Sequence, residues 1–190
     1  MSAGRRLGFV SPNAPLLAAW VGLWVVLAAG AAHAQSLEYP VKANYLVRFA
    51  AFVDWPGSAF ASPGSPIVIC VAGRDPFGRR LDEAVAGQLI SGRRVLARRV
   101  SSAEARSGCH IVYLGGLEAA ARRELLAALA SRPVLTVTDA ADPAVRGLID
   151  FAIARDRVRF HIDNDAARDA GLAVNSRLLS LALTVRGGRS

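Results

Sequence analysis

Residues Ile67–Leu81 read IVICVAGRDPFGRRL, and the fold turns on how this stretch divides. Ile67 to Ala72 is apolar throughout, rich in Ile and Val, and too short for a free-standing helix, which predicts a strand from Pro66 to Ala72 buried on both faces. The run ends on Gly73 and passes Arg74-Asp75-Pro76-Phe77 to a second glycine, Gly78. Two glycines at this spacing make neither a dinucleotide fingerprint nor a P-loop, which closes on Gly-Lys-Ser/Thr. Asp75-Pro76 instead spells a helix start, with Asp as N-cap and Pro at the first helical position, so a helix is expected over Pro76–Ala86. An aspartate there occupies the amides that an anionic ligand would need, and the structural cap is the favoured reading. The functional reading is geometric: strand ends in an open α/β sheet border a ligand crevice at a topological switch point. Gly73, Arg74, Asp75, Gly115, Gly116, Thr138 and Asp139 would form such a rim, with Arg74 available to an anion.

Outward from this stretch the pattern repeats. Cys109–Leu114 (CHIVYL) is a second buried strand, closed by Gly115-Gly116, and Pro133–Thr138 (PVLTVT) is a third. Between them Leu117–Ala130 is rich in Ala, Leu, Glu and Arg, a helix. Arg93–Val100 reads as a more exposed strand, and Ser102–Arg106 as one helical turn. Leu148–Ala154 and Val158–Ile162, joined by Arg155-Asp156-Arg157, form an antiparallel hairpin. Asn164 or Asp165 caps a short helix to Ala170, and Val174–Val185 closes the chain as a helix. At the other end Tyr39–Val53 places Val41, Tyr45, Leu46, Phe49, Phe52 and Val53 on one helical arc, halted near Asp54 by Pro56. Lys42 falls inside that arc and is expected to snorkel from the first turn. Alternation of strands and helices makes the fold α/β: a single domain with a mostly parallel sheet, helices on both faces and a C-terminal antiparallel hairpin. No internal repeat is present, and Pro63–Pro66 is a loop within the domain.

The N-terminus is a separate matter. Arg5 and Arg6 precede Leu16–Ala29, a core of 14 uncharged, mostly apolar residues, and Ala32-His33-Ala34 supplies small residues at the two positions a signal peptidase reads. This predicts a cleaved secretory signal over 1–34, with an uncleaved membrane anchor as the competing reading, and an exported α/β domain of 156 residues over 35–190. The formal charge is +8, or +6 without Arg5 and Arg6, and Lys42 is the only lysine. Arginine bias of this kind follows genome composition. With export and without an aromatic-interleaved basic patch, nucleic acid is not an expected partner, while attraction to anionic lipid stays open.

The residues that carry chemistry are sparse. His33 leaves with the signal, and Cys109 and His110, as strand neighbours, point to opposite faces. His110 and His161 read as structural, and no spacing matches a zinc site. There is no G-x-S-x-G elbow. Asp82 and Glu83 on a helix and Asp150 in a strand form no acid/base pair, Ser176 beside Asn175 is helix-end chemistry, and Cys70 lies inside a strand where a thiol is unreactive. No catalytic residue, metal or cofactor is therefore expected, and an exported hydrolase would have to rest on Asp75 or Asp139. Cys70 and Cys109 lie on strands that could be neighbours. Two states are open, a disulfide or two buried thiols. A bridge would close a loop of about 40 residues and contribute at most about 4 kcal/mol in the chain-entropy model. Trp55 and Phe60 are candidate aromatic anchors for a partner, and Trp55 alternatively closes the first helix.

Six segments in order, KANYLVRFAAFVDWP (Lys42–Pro56), IVICVAGRDPFGRRL (Ile67–Leu81), SGCHIVYL (Ser107–Leu114), PVLTVTD (Pro133–Asp139), GLIDFAIARDRVRFHID (Gly147–Asp163) and GLAVNSRLLSLA (Gly171–Ala182), together resemble the YfiR family of exported bacterial proteins. The resemblance implies an α/β periplasmic regulator that tends to dimerise. Such a protein binds the periplasmic sensor domain of an inner-membrane diguanylate cyclase and holds it inactive until envelope or redox stress releases it. It also implies a Cys70–Cys109 disulfide, since both match cysteine positions seen in the family. Some members carry a second pair, which this chain lacks. A small-ligand-binding module built on the glycine-ended strands is the competing expectation.

Overall fold

The computed structural model describes residues 37–139 and 145–187. The fold belongs to the unit Glu38–Ser190. The predicted signal segment and its cleavage site lie outside the described residues. Among the described residues no helix is long and apolar enough to cross a membrane.

The strand predicted from the opening stretch is β2 (Ile67–Gly73), and it is central. It pairs in parallel with β4 (Arg93–Val100) on one side and β5 (Ile111–Gly115) on the other. Ile67, Ile69 and Val71 face one layer, Val68, Cys70 and Ala72 the other. This two-sided burial is why the run shows no polar alternation. β6 (Leu135–Thr138) follows β5 in parallel, and β7 (Ile149–Ala154) follows β6. β8 (Arg157–Asp163) returns antiparallel to β7. The predicted three-residue link contracts to two: Arg155 and Asp156 both have positive φ, of 52° and 56°, and Arg157 already pairs with Ala154. That is the twist a tight hairpin needs.

The first layer holds α1 (37–52) and α2 (Arg79–Val85). Leu46 and Phe49 of α1 and Phe77, Leu81 and Val85 at α2 pack on the sheet. The aromatic rings of Tyr45, Phe49, Phe151 and Phe160 interlock at centroid separations of 5.2–6.1 Å. The second layer is α3 (Ala119–Leu129), which seats Leu125 and Leu129 on Cys70, Val112 and Leu114.

Several expectations need correction. α2 begins at Arg79 rather than Pro76, because Asp75 Oδ1 accepts from the Phe77 and Gly78 amides and closes a turn of its own. Neither Asn164 nor Asp165 caps α4 (Asn164–Asp169): Asp163 does, accepting from Ala166 N–H at 3.0 Å. The terminal helix is only α5 (Ser176–Leu181), capped by Asn175, and the chain then extends into β10 (Thr184–Arg186), parallel to β8. Leucine spacing over 178–183 suits a helix, but the free edge of β8 offers β-branched Thr184 and Val185 a ladder, and pairing wins. Three further short strands carry no periodic signal. β1 (Val53–Asp54) joins β9 (Ala173–Val174) and takes Val53 out of the first helix; β3 (Leu89–Ile90) borders β4. The sheet order is β10-β8-β7-β6-β5-β2-β4-β3. From β2 the chain goes first to β4 and then back across to β5, so the switch point lies between the ends of β2 and β5.

Candidate functional site

At that switch point stand the glycines singled out from sequence. Arg74 N–H donates to the Gly115 carbonyl at 2.8 Å. Gly73 has φ +91°, and a Cβ there would sit 2.3 Å from Gly115 O. On Gly116 (φ +60°) it would meet Arg74 Cβ at 2.7 Å. The two strand ends cross in backbone contact, which only glycine permits. The glycines therefore close on each other instead of opening a cradle. Asp75 accepts from two amides through Oδ1 and from Arg99 Nε, at 2.8 Å, through Oδ2. Thr138 is fully buried: it donates to Asp150 Oδ1 at 2.5 Å and accepts from Gly147 N–H at 2.9 Å. Asp150 also pairs with Arg146 at 2.9 Å. Of the seven rim residues, Gly73, Arg74, Gly115 and Gly116 meet, Asp75 and Thr138 are turned to structural bonds, and Asp139 joins a different group.

That group centres on Lys42, which does not snorkel. It has no exposed surface and pairs with both Glu38, one helical turn back, and Asp139 at the end of β6. Its ammonium lies 5.1 Å from the Tyr39 ring centroid and 5.6 Å from that of Phe151. Burial would lower its pKa, but hydrogen bonds to Asp139 and Glu38, reinforced by their charge, outweigh this and hold it above the ordinary lysine value. Tyr113 lies in the same neighbourhood, edge-on to Phe77 at 4.7 Å. Burial raises its hydroxyl strongly, with Asp139, Tyr39 and Glu38 adding to the effect. A charged lysine and a protonated tyrosine are neither nucleophile nor base at neutral pH. The arrangement fastens the start of α1 to the end of β6. The sequence carried a signal for it, the sole lysine lying within an apolar helical arc.

On the opposite face Cys70 and Cys109 form a disulfide across 5.9 Å between Cα atoms, closing a separation of 39 residues. His110 points the other way. Its Nδ1 accepts from Val68 N–H at 3.1 Å, its ring stacks on Phe60 at 4.5 Å, and the Arg93 guanidinium covers Phe60 at 3.7 Å. Burial, the main cause, and the charge of Arg93 lower its pKa. Trp55 and Phe60 are half-buried against the core rather than free anchors. His161 bonds Thr184 at 2.7 Å. Among the described residues no group of three or more His, Cys, Asp or Glu side chains could hold a metal ion.

Comparison with protein families agrees with this frame. The model of the YfiR/HmsC-like family matches residues 39–183, from the start of α1 to the approach to β10. The match spans both layers, the switch point and the disulfide, and the chain belongs to the YfiR/HmsC-like family.

Proposed function

We propose that this chain is a non-enzymatic periplasmic regulator. It binds the periplasmic sensor domain of an inner-membrane signalling protein, a diguanylate cyclase, and holds it inactive, lowering cyclic-di-GMP. The observation that carries this reading is the family match over 39–183, a family of regulators in diguanylate cyclase signalling. The rim supports it from the chemical side: its acids and hydroxyl are engaged in internal bonds, and Lys42 is held charged between two carboxylates. A disulfide fits an oxidising compartment. In this reading the signal is cleaved after Ala34, and the mature chain acts as a monomer or homodimer.

Two measurements test it. Deleting the gene should raise cyclic-di-GMP and surface attachment, and the mature chain should co-elute with the sensor domain. Unchanged cyclic-di-GMP with the cyclase expressed, together with no co-elution, overturns it. A second reading, a small-ligand module, is favoured by one observation: Arg74 is exposed at the switch point and has no ion pair among the described residues. Titration calorimetry against nucleotides, amino acids and inorganic anions distinguishes the two, since the ligand module requires heat that disappears in Arg74→Ala.

A further inference from the structure

The segment that leads into β2 is held down by one histidine. His110 stands just before β5 and grips both backbone groups of Val68. Its N–H donates to the Val68 carbonyl at 2.9 Å, and its Nδ1 accepts from the Val68 N–H at 3.1 Å. The β2–β5 register begins only at Ile69 opposite Ile111, so the ring stands in for a backbone acceptor and adds a rung to the ladder. The His110 carbonyl accepts from Leu135 N–H at 2.8 Å. The backbone is thus fixed on both sides, and the imidazole is the part that can move. Phe60 stacks on it at 4.5 Å, and Trp55 meets it edge-on at 6.1 Å. The Arg93 guanidinium lies 3.7 Å from the Phe60 centroid and donates to the Ser62 and Ser65 carbonyls.

An acceptor at Nδ1 means a neutral ring with its proton on Nε2. A second proton turns Nδ1 into a donor aimed at the Val68 N–H, 3.1 Å away. Two N–H groups cannot share a hydrogen bond, so a charged ring has to leave, and the Val68 amide loses its partner. The surroundings act in the same direction. His110 is 6% exposed, and Arg93 of β4 is the one charged group among the described residues that acts on it. Burial, the largest effect, disfavours the charged form, and Arg93 adds to this. The Ala59 carbonyl, near the ring but without a well-formed bond to Nε2, favours it and is outweighed. Trp55 Nε1 is buried with no hydrogen-bond partner among the described residues, so packing rather than a hydrogen bond keeps the indole in place.

We propose that His110 is an acid-sensitive latch. Neutral, it clamps Trp55 and Phe60 over the start of β2; protonated, it releases them and bares two aromatic side chains that are otherwise half-buried. The bonds from Arg93 to the Ser62 and Ser65 carbonyls tether the far end of the segment, so the opening is confined to residues 55–61. The latch alters the apolar surface that the chain offers, whichever partner reads it.

The test uses the processed, disulfide-intact chain 35–190, which contains the Glu38–Ser190 unit and in which Trp55 is the only tryptophan and His110 and His161 the only histidines. Excited where tyrosine does not absorb, Trp55 emission should fall and shift to the red, reversibly, as pH drops through a midpoint below the ordinary histidine value of 6.5, with far-ultraviolet circular dichroism unchanged. The His110 ring resonance, told from that of His161 by His161→Gln, should titrate with the same midpoint. His110→Gln, whose amide oxygen can accept from Val68, should abolish the transition. Arg93→Gln should move it to higher pH, because a positive charge beside the ring is removed. Hydrogen exchange at the Val68 amide, corrected for its intrinsic rate, should quicken about tenfold or more across the transition. Emission that ignores pH while His110 titrates, a transition that survives His110→Gln, an unmoved midpoint in Arg93→Gln, or emission that changes only as the whole fold unfolds overturns the proposal. None of these readouts needs a partner, so the outcome is independent of the inhibitory reading.

Discussion

The two faces of the central sheet are closed by opposite chemistry. On the α1 side 24 buried apolar side chains among the described residues, Phe49, Phe151 and Phe160 included, form one continuous layer, with the half-buried Tyr45 ring packed against it. On the α3 side there are 11, so the smaller layer has less burial to hold it. The larger layer accommodates a buried ammonium, Lys42, between two partly exposed carboxylates. The smaller one is crossed by a covalent bond, Cys70–Cys109. An ionic tie responds to pH and to loss of a partner, and a covalent one responds to reduction. The comparison teaches that one sheet can divide its vulnerabilities between its faces.

The sharpest way to break the contrast is to leave Lys42 charged and alone. Glu38→Gln with Asp139→Asn should destabilise the fold by about 3–5 kcal/mol, since a buried charge is stranded. Lys42→Met, which removes the charge and lets the carboxylates turn to water, should cost clearly less. Urea unfolding of the three proteins checks the order, and equal losses would show the tie to be ordinary packing. The pH dependence has a definite sign. The native pKa of Lys42 is raised, so its contribution is complete below the ordinary value of 10.5 and is lost as pH rises through the higher native value.

Next in size, Cys70→Ala/Cys109→Ala should cost about 2–4 kcal/mol. Hydrogen exchange should then quicken first in α3 and β5, with the aromatic layer protected longer. Simultaneous loss on both faces would dissolve the distinction. Gly73→Ala probes the joint between the faces. Its Cβ would meet Gly115 backbone at 2.3 Å in a left-handed conformation, and a loss of about 2 kcal/mol is expected by thermal unfolding. The smallest effect concerns His110, whose native pKa is lowered by burial. Its stabilising contribution is present above 6.5 and is lost as pH falls through that value toward the native one. His110→Gln should flatten stability against pH in this window, and an unchanged slope would assign the dependence to other groups.

Much of the frame was legible from residues alone, for reasons that differ by element. β2, β5 and β6 are short, nearly unbroken apolar runs bounded by Gly or Pro, and burial on both faces leaves them no polar alternation to confuse. The α3 helix and the β7–β8 hairpin are governed by local propensity and a tight turn. The two cysteines could be placed on neighbouring strands, but the residues left a disulfide and free thiols equally open until family resemblance weighed in. The rim was half legible. Asp75 as an occupier of its own amides was anticipated; the mutual closure of Gly73 and Gly115 was not, because it depends on which strands become neighbours.

What the sequence by itself determined is what acts over a few residues: the buried-strand pattern, the helices with strong periodicity and the presence of a hairpin turn after Ala154. Only the tertiary structure decided the rest. Thr184–Arg186 is a strand because β8 had a free edge. Lys42 is a buried tie because Asp139, 97 residues away in sequence, arrives beside it. The β4 edge is open because β3 stops after two residues. Such outcomes depend on partners brought in by chain folding, and a partner distant in sequence leaves no periodic trace in the segment that waits for it.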